Sequence, residues 1–252
     1  MGVAASLLAV ISLVASALTG CGYVLERFGA RSTPPTSAEV LDQSPGADTV
    51  VAMARPSVVK VRTVAPRCQK TLDGTGFVVS QNKVLTMAHV VAGGETVTVE
   101  FDDAQHDAHV VSFDPKADIA ILDVPSLPAP PLGLNTSAAE VGTDVLVLGY
   151  PGAGPFAATA AQISELSHIE GPDIYRTGTV GRNVYLISGV AQLQMQGLSG
   201  GPVVDMNGQV LGVVLGQNVH DRDIGFVIAA PQLTKHVAGD HTGSVDTGGC
   251  VR

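Results

Sequence analysis

The sequence contains no tryptophan, and aromatic residues make up only 4% of its 252 residues, so the core must be built from Val, Ile, Leu and Ala. Charged residues are also scarce, at 15%, whereas hydrophobic residues reach 45%, a balance that excludes an intrinsically disordered chain. The formal net charge is −9, and no basic run occurs. Because phosphate contacts need clustered Lys and Arg, nucleic acid is excluded as the main partner.

Charge is missing altogether from residues 3–25. A run of about 20 apolar residues is long enough to cross a bilayer as a helix, and a buried core helix would carry a polar stripe that this run lacks. We therefore expect residues 1–25 to be a membrane segment, through which the protein is attached to the membrane. Leu18-Thr19-Gly20-Cys21 is similar to the lipobox of bacterial lipoproteins, which makes Cys21 a predicted lipidation site. No Lys or Arg precedes Arg27, however, so an uncleaved transmembrane anchor stays open as the alternative.

Residues 26–48 are rich in Ser, Thr, Pro, Gly and charge, which predicts a flexible linker because such a segment buries little apolar surface. The folded domain is then expected to span residues 49–252. It should open with a helical turn over residues 49–54 that ends before Pro56.

The rest of the chain is a series of short Val- and Ile-rich runs separated by turn residues such as Asn207-Gly208 and Gly93-Gly94. About twelve runs are typical of strands: 57–65, 74–80, 82–87, 95–101, 109–114, 119–124, 143–151, 159–169, 182–188, 201–208, 209–216 and 225–230. No amphipathic helix of 10–15 residues alternates with them, which disfavours a doubly wound α/β fold. The sequence predicts an all-β domain, either two barrels or a sandwich.

Three segments carry residues suited to nucleophilic catalysis. His89 follows an apolar strand, Asp118 precedes a buried strand, and Ser199 lies in the glycine-rich loop Gly197–Pro202. A serine hydroxyl is a weak nucleophile until a base removes its proton, and a third group must hold that base in one tautomer. Asp114 and Asp123 compete with Asp118 for this third role.

The glycines around Ser199 have a chemical reason. An oxyanion hole needs backbone N–H groups that point at one spot, which requires a tight turn without an obstructing side chain. We expect the N–H groups of Gly197 and Ser199 to be the donors.

Together, the segments Met87–Val91, Asp118–Leu122 and Gly197–Pro202 resemble those of the chymotrypsin-like serine proteases. The likeness is greatest to a membrane-anchored actinobacterial branch linked to acid resistance. The further matches are VAPRCQ around Cys68, LGYPG at 148–152, GPDIY at 171–175 and GGCV at 248–251. The resemblance covers about residues 49–252. It implies two six-stranded antiparallel β-barrels with the active site between them, and a catalytic His89, Asp118 and Ser199.

The same resemblance has consequences for activation and specificity. Leu198 replaces the acidic residue that usually precedes the nucleophile in secreted trypsin-type enzymes and pairs with a freshly cut N-terminus, so this activation route is not expected. The implied substrate pocket contains Leu193, Val214, Leu215, Gly216 and Gly225. No carboxylate is expected there, which favours a neutral or apolar substrate side chain over Arg or Lys.

Cysteine usage points to an oxidising compartment. With Cys21 in the membrane segment, Cys68 and Cys250 are left to pair across the domain, and two unrelated free thiols are the alternative. His106 and His109 stand three apart, but in a strand they point to opposite faces, so we expect no metal site. No cofactor is expected either.

The overall expectation is a membrane-tethered serine endopeptidase whose catalytic domain is extracytoplasmic, on the periplasmic side, and acts on protein or peptide substrates of the cell envelope. An HtrA-like quality-control protease is one alternative. A catalytically silent peptide-binding module that keeps the protease fold is another.

Overall fold

Twelve antiparallel strands form two closed six-stranded barrels. The structure, a computed structural model, describes residues 46–239 and 241–251. The predicted membrane segment with Cys21 and residues 26–45 of the predicted linker lie outside these residues. No helix within the described residues has the length and apolarity needed to cross a membrane.

The first barrel contains the first six strands, which are ordered β1-β2-β3-β6-β5-β4 around it. The strands are β1 (Val58–Ala65), β2 (Lys70–Ser80), β3 (Lys83–Thr86), β4 (Thr96–Phe101), β5 (Ala104–Asp114) and β6 (Ile119–Asp123). The second barrel has the order β10-β11-β12-β9-β8-β7. Its strands are β7 (Asp144–Gly149), β8 (Ala157–Pro172), β9 (Thr179–Ser188), β10 (Pro202–Asp205), β11 (Val210–Gln217) and β12 (Gly225–Ala229).

These strands coincide with the twelve runs predicted from the sequence, because alternating Val and Ile side chains fill the interior of each barrel. Among the largest side chains that are fully buried, Phe77 is the only aromatic one in the described residues, so the expected aliphatic core is confirmed. The Asn207-Gly208 turn joins β10 to β11, and the Gly208 N–H donates to the Asp205 carbonyl. Gly208 has a φ of 77°, a conformation that favours glycine.

Within residues 46–239 and 241–251, three α-helices accompany the strands: α1 (Ala47–Ala54), α2 (Ala88–Val91) and α3 (Ala230–Val237). Helix α1 ends in a 3-10 turn over Arg55–Ser57, which contains Pro56, so the predicted helical turn is present. It begins at Ala47, two residues before the predicted start of the domain, and Ala47 is fully buried. The boundary between the linker at 26–48 and the domain at 49–252 is still a prediction.

The two barrels share part of their hydrophobic core. The cluster that fills the first barrel also contains Leu146, Leu148, Val213 and Ile228 from strands of the second barrel. A second cluster occupies the interior of the second barrel and includes Leu198, next to the predicted nucleophile. Packing across the junction therefore sets the position of one barrel, and of the loops on it, relative to the other.

Candidate active site

His89 lies on the one-turn helix α2, directly after β3. Its neighbours Ala88, Val90 and Val91 are buried in the first barrel, which leaves the His89 side chain as the one that faces outward. Its side chain is 32% exposed. The burial of its neighbours thus fixes the imidazole at the surface between the barrels without burying its reactive edge.

Asp118 is the carboxylate that contacts His89. Its Oδ2 lies 2.8 Å from His89 Nδ1, its Oδ1 accepts the His89 backbone N–H at 2.9 Å, and its side chain is only 5% exposed. The Asp118 carbonyl also accepts the N–H of Ala88 at 3.2 Å. Asp118 has a φ of 62°, which is unusual for a residue other than glycine and is held here by these contacts.

The two competing carboxylates are used elsewhere. Asp114 Oδ1 accepts the backbone N–H groups of Lys116 and Ala117, which shapes the turn that leads to Asp118. Asp123 forms an ion pair with Lys83 at 2.6 Å. The sequence predicts Asp118 through the family resemblance and leaves Asp114 and Asp123 as competitors, and the fold brings only Asp118 to the imidazole.

The loop before Ser199 presents two free N–H groups. The carbonyl of Gln196 accepts the N–H of Gly152 at 2.6 Å, and the carbonyl of Leu198 accepts the N–H of Gly201 at 2.8 Å. In a trans peptide the C=O and N–H point in opposite directions, so the N–H groups of Gly197 and Ser199 point away from these partners. Neither N–H has an acceptor among the described residues. They are the donors that the sequence predicts for an oxyanion hole.

Gly197 is required at its position. Its φ is 85°, and a Cβ there would lie 2.5 Å from the Tyr150 carbonyl oxygen. A side chain at 197 would therefore both strain the backbone and push the loop away from the 150–153 segment. A cavity of about 340 Å³ is lined by His89 and Gly197, and a separate cavity of about 390 Å³ is lined by Tyr150 and Phe156.

Ser199 is partly exposed and lies beside the His89 helix. A Cβ added to Gly74 would lie 2.7 Å from the Val90 side chain and 3.2 Å from the Ser199 carbonyl oxygen. Gly74 therefore contacts both the His89 helix and the Ser199 loop, and a larger residue would push them apart. Ser199 Oγ makes no hydrogen bond within the described part of the chain. Catalytic hydrogen bonds of this kind are often long in a substrate-free enzyme and shorten when substrate binds.

Thr75 is a residue that sequence reasoning missed. It is fully buried on β2, and its hydroxyl donates to the Gly197 carbonyl at 2.7 Å while accepting the Tyr150 N–H at 3.1 Å. Its backbone N–H donates to the Ser199 carbonyl at 3.0 Å, and its carbonyl accepts the Thr86 hydroxyl at 2.7 Å. The first barrel thus holds the nucleophile loop of the second. The available signal was the pair of glycines around it, Gly74 and Gly76, which both lie against neighbouring residues.

Tyr150 supports the same region from the other side. Its hydroxyl donates to the Val58 carbonyl at 3.2 Å, and its ring packs edge-on against Phe156. Burial raises the pKa of the Tyr150 hydroxyl, so the group stays protonated and keeps its role as a donor.

The residues of the predicted substrate pocket are placed by the second barrel. Leu193 and Val214 belong to its hydrophobic cluster, and Leu215 is half-buried. Gly216 faces open space, since a Cβ there would meet nothing within 4 Å, whereas one at Gly225 would contact Ile187. These positions are compatible with a substrate pocket, which stays a prediction.

The loop before Gly225 carries the carboxylate of Asp223. Asp223 Oδ1 accepts the backbone N–H groups of Gly189 and Ala191, each at 3.0 Å. Through Oδ1, Asp223 thereby holds the 189–191 segment against the loop before β12.

Cys68 and Cys250 form a disulfide bond, as the sequence suggested, so the alternative of two free thiols is wrong. The C-terminal segment lies on the first barrel, where the Gly93 N–H donates to the Thr247 carbonyl at 3.1 Å. The Tyr175 hydroxyl, from the second barrel, donates to the same carbonyl at 3.3 Å.

Comparison with known families agrees with this geometry. The family described as "Trypsin-like peptidase domain" matches residues 74–213, which is more than half of the chain and contains His89, Asp118 and Ser199. The chain belongs to the trypsin-like peptidase family. A member of similar sequence is the serine protease Rv3671c of Mycobacterium tuberculosis, 48% identical over 235 residues. The match covers 92% of this chain but 58% of that relative, so the chain spans less than two thirds of its length.

A trypsin-like peptidase from another organism has lower sequence identity to this chain. A probable periplasmic serine endoprotease, DegP-like, from Halomonas elongata is 31% identical over 144 residues, which cover 56% of this chain and 28% of that protein.

The crystal structure of the active form of the M. tuberculosis Rv3671c protease superposes with a TM-score of 0.79 and 50% identity, over 84% of this chain and 92% of that one. Its inactive form gives a TM-score of 0.68, with coverage of 78% and 95%. The fold described here is therefore more similar to the active form.

Proposed function

We propose that the chain is a serine endopeptidase that hydrolyses peptide bonds of protein substrates through an acyl-enzyme. One arrangement carries this proposal: the His89–Asp118 pair at 2.8 Å faces the loop where the N–H groups of Gly197 and Ser199 have no acceptor among the described residues. A module that only bound peptides would need neither the oriented imidazole nor the free donors. The greater similarity to the active form of the M. tuberculosis protease supports the same reading.

In the first half-reaction, Ser199 Oγ attacks the carbonyl carbon of the substrate while His89 Nε2 takes the hydroxyl proton. Asp118 Oδ2 accepts the hydrogen bond of Nδ1–H, which holds the imidazole in the correct tautomer and stabilises the imidazolium. The negative charge that develops on the carbonyl oxygen is stabilised by the N–H groups of Gly197 and Ser199. A single donor of this kind is worth about 3–4 kcal/mol of transition-state stabilisation.

The first half-reaction ends when His89 gives its proton to the departing amine as the C–N bond breaks, which leaves an acyl group on Ser199. In the second half-reaction this ester is hydrolysed. His89 takes a proton from a water molecule that attacks the acyl carbon, and returns the proton to Ser199 Oγ as the bond between the acyl carbon and Oγ breaks. Partial exposure of His89 is what allows the amine to leave and water to enter.

The proposal extends to the location and substrates of the enzyme. The apolar segment 1–25 supports a membrane tether, and the disulfide bond supports an extracytoplasmic domain. We accordingly place its substrates in the cell envelope, with a neutral or apolar side chain preferred in the pocket at Leu193 and Gly216. The resemblance to the acid-resistance branch adds a role in envelope maintenance during acid stress.

Labelling with a fluorophosphonate probe tests the proposal, because only an activated serine hydroxyl reacts with it. Wild type should be labelled at Ser199, and peptide hydrolysis should fall by about four to six orders of magnitude in Ser199→Ala and in His89→Ala. The double variant should be hardly worse than either single one, since groups that act as a unit are strongly non-additive.

Two matched variants serve as controls. Ser137→Ala and His109→Ala change exposed residues whose side chains take no part in the site, and both should keep wild-type activity. Substantial hydrolysis by Ser199→Ala, or an unlabelled but folded wild type, would contradict the proposal.

A further inference from the structure

A third cavity lies where the two barrels meet helix α3, away from the proposed catalytic residues. Its volume is about 460 Å³, and it shares no lining residue with the cavity at His89. Its charged and titratable residues come from three places: Asp114 and Lys116 from the end of β5 and the turn after it, Arg182 from β9, and Lys235 and His236 from α3. Apolar residues of both barrels, together with Gln232 and Thr234 of α3, form the rest of its wall.

The cavity is positively charged although the chain is acidic. Lys116, Arg182 and Lys235 oppose the single carboxylate of Asp114, which gives a net charge of +2 in a chain whose formal net charge is −9. Asp114 forms no ion pair with any of these three cations, and its Oδ1 accepts two backbone N–H groups. Its Oδ2 lies 3.8 Å from His236 Nε2.

Arg182 is a buried cation without a counter-charge in the described residues. It is 6% exposed, and it donates to the carbonyl of Lys116 at 2.8 Å and more weakly to that of Pro172 at 3.4 Å. It forms no ion pair with a described carboxylate, and its Nε has no hydrogen-bond partner there. Buried charges are normally paired, because desolvation makes an unpaired one costly.

His236 of α3 is another buried residue that lines the cavity. It is 8% exposed, and its Nε2 is also without a hydrogen-bond partner among the described residues. Burial lowers the pKa of His236. The nearby Lys235 and His241 also lower this pKa, whereas the Asp114 carboxylate raises it. The neutral ring can still donate one hydrogen bond from Nε2.

We propose that this cavity binds an oxyanion, that is, a phosphate, sulfate or carboxylate group. The anion supplies the counter-charge that the buried Arg182 lacks, His236 supplies a neutral donor, and the exposed Lys116 and Lys235 attract the anion. A volume of about 460 Å³ and the apolar wall fit an oxyanion carried on a small organic molecule as well as a free ion. The site is independent of the proposed peptidase activity.

An anion bound here would join three elements. It would link the turn that precedes Asp118 to β9 of the second barrel and to α3. We therefore expect the folded state to gain stability when the site is occupied, since a ligand that binds only the folded state raises the free energy of unfolding by mass action.

The test is thermal unfolding of the full chain in inorganic phosphate, with ionic strength held constant by sodium chloride. Phosphate should raise the melting temperature along a saturable curve, and chloride should not. Sulfate and acetate titrations under the same conditions then separate tetrahedral oxyanions from carboxylates. If none of the three anions gives a saturable shift, the proposal is overturned.

Matched variants locate the site. Lys235→Gln removes an exposed cation without changing helix propensity much, and should weaken binding about fivefold to tenfold. Arg222→Gln makes the same charge change at an exposed residue outside this cavity, and should bind phosphate like wild type. Arg182→Lys keeps the charge but not the Nε donor, and should also bind more weakly. If Lys235→Gln and Arg222→Gln bind equally tightly, the anion lies elsewhere and the proposal fails.

Discussion

At the scale of single residues, the proposed nucleophile and the residue that holds its loop lie on different barrels. Ser199 and Gly197 belong to a loop of the second barrel, whereas Thr75, which holds that loop, belongs to β2 of the first. The Thr75 hydroxyl is shared between the Gly197 carbonyl and the Tyr150 N–H, and it is fully buried. We infer that Thr75 is a positioning residue that fixes the orientation of the peptide between Gly197 and Leu198.

The prediction is that Thr75→Val lowers kcat about tenfold to a hundredfold while KM changes little. Valine keeps the shape but leaves a buried carbonyl and a buried N–H unpaired, which costs about 1–3 kcal/mol, and the oxyanion donors next to them lose their fixed direction. Steady-state kinetics on a peptide substrate measures both constants. Thr75→Ser, which restores the hydroxyl, should recover most of the activity.

Thr63→Val is the matched control. Thr63 is equally buried in the first barrel, but its hydroxyl has no hydrogen-bond partner among the described residues, so valine should be neutral or stabilising there. If Thr75→Val lost stability but kept the wild-type kcat, Thr75 would be a structural residue only.

At the scale of elements, helix α1 connects the predicted linker to the first barrel. Ala47, Val50 and Ala54 are buried in the cluster that fills this barrel, and Arg55, just after the helix, stacks over the Phe156 ring at 5.3 Å. Met53, outside this buried face, is 55% exposed. The helix is therefore held by tertiary packing of one face, as is usual for so short a helix.

We expect Val50→Ala to lower the free energy of unfolding by about 1–3 kcal/mol, through lost apolar burial and an incompletely filled space. Met53→Ala on the same helix should change it by less than about 0.5 kcal/mol, because the side chain is mostly in solvent. Urea denaturation of both variants gives the comparison. Equal effects of the two substitutions would mean that α1 is not part of the cooperative core.

At the scale of the whole molecule, the C-terminal segment ties the barrels together. The Cys68–Cys250 bond closes a loop with a sequence separation of 182 residues, and Val245 donates its N–H to the Val110 carbonyl of the first barrel at 2.8 Å. Tyr175 of the second barrel donates to Thr247 in the same segment. His89 and Asp118 lie on one barrel and Ser199 on the other. A change that loosens the C-terminal segment should therefore alter the position of Ser199 relative to His89.

Cys250→Ser should accordingly lower both the melting temperature and peptidase activity. The chain-entropy model gives at most about 5 kcal/mol for a loop of this size, which is comparable with the total stability of many domains. Differential scanning calorimetry and initial rates measure the two effects. Reductant should act on wild type in the same way and leave Cys250→Ser unaffected, and a reduced wild type that kept its melting temperature would show that the bond contributes nothing.

Much of the architecture follows from local patterns in the sequence. Alternating Val and Ile runs bounded by turn residues determine the twelve strands, because side-chain direction and turn geometry depend on residues only a few positions apart. The segments around His89, Asp118 and Ser199 also carry their own chemistry, which is why they stood out as candidates before their positions in space were known.

Only the tertiary structure decided how these segments meet. Asp118 lies 29 residues from His89, and Thr75 lies 122 residues from Gly197. Residue type and spacing alone therefore did not separate Asp118 from Asp114 and Asp123, which only the family resemblance did, and no sequence pattern assigned Thr75 its role. The same holds for Arg182, which reads as an ordinary strand residue but is buried where both barrels meet α3. Such contacts depend on how the two barrels close and pack, and the energy of that packing is a sum over residues that are distant in sequence.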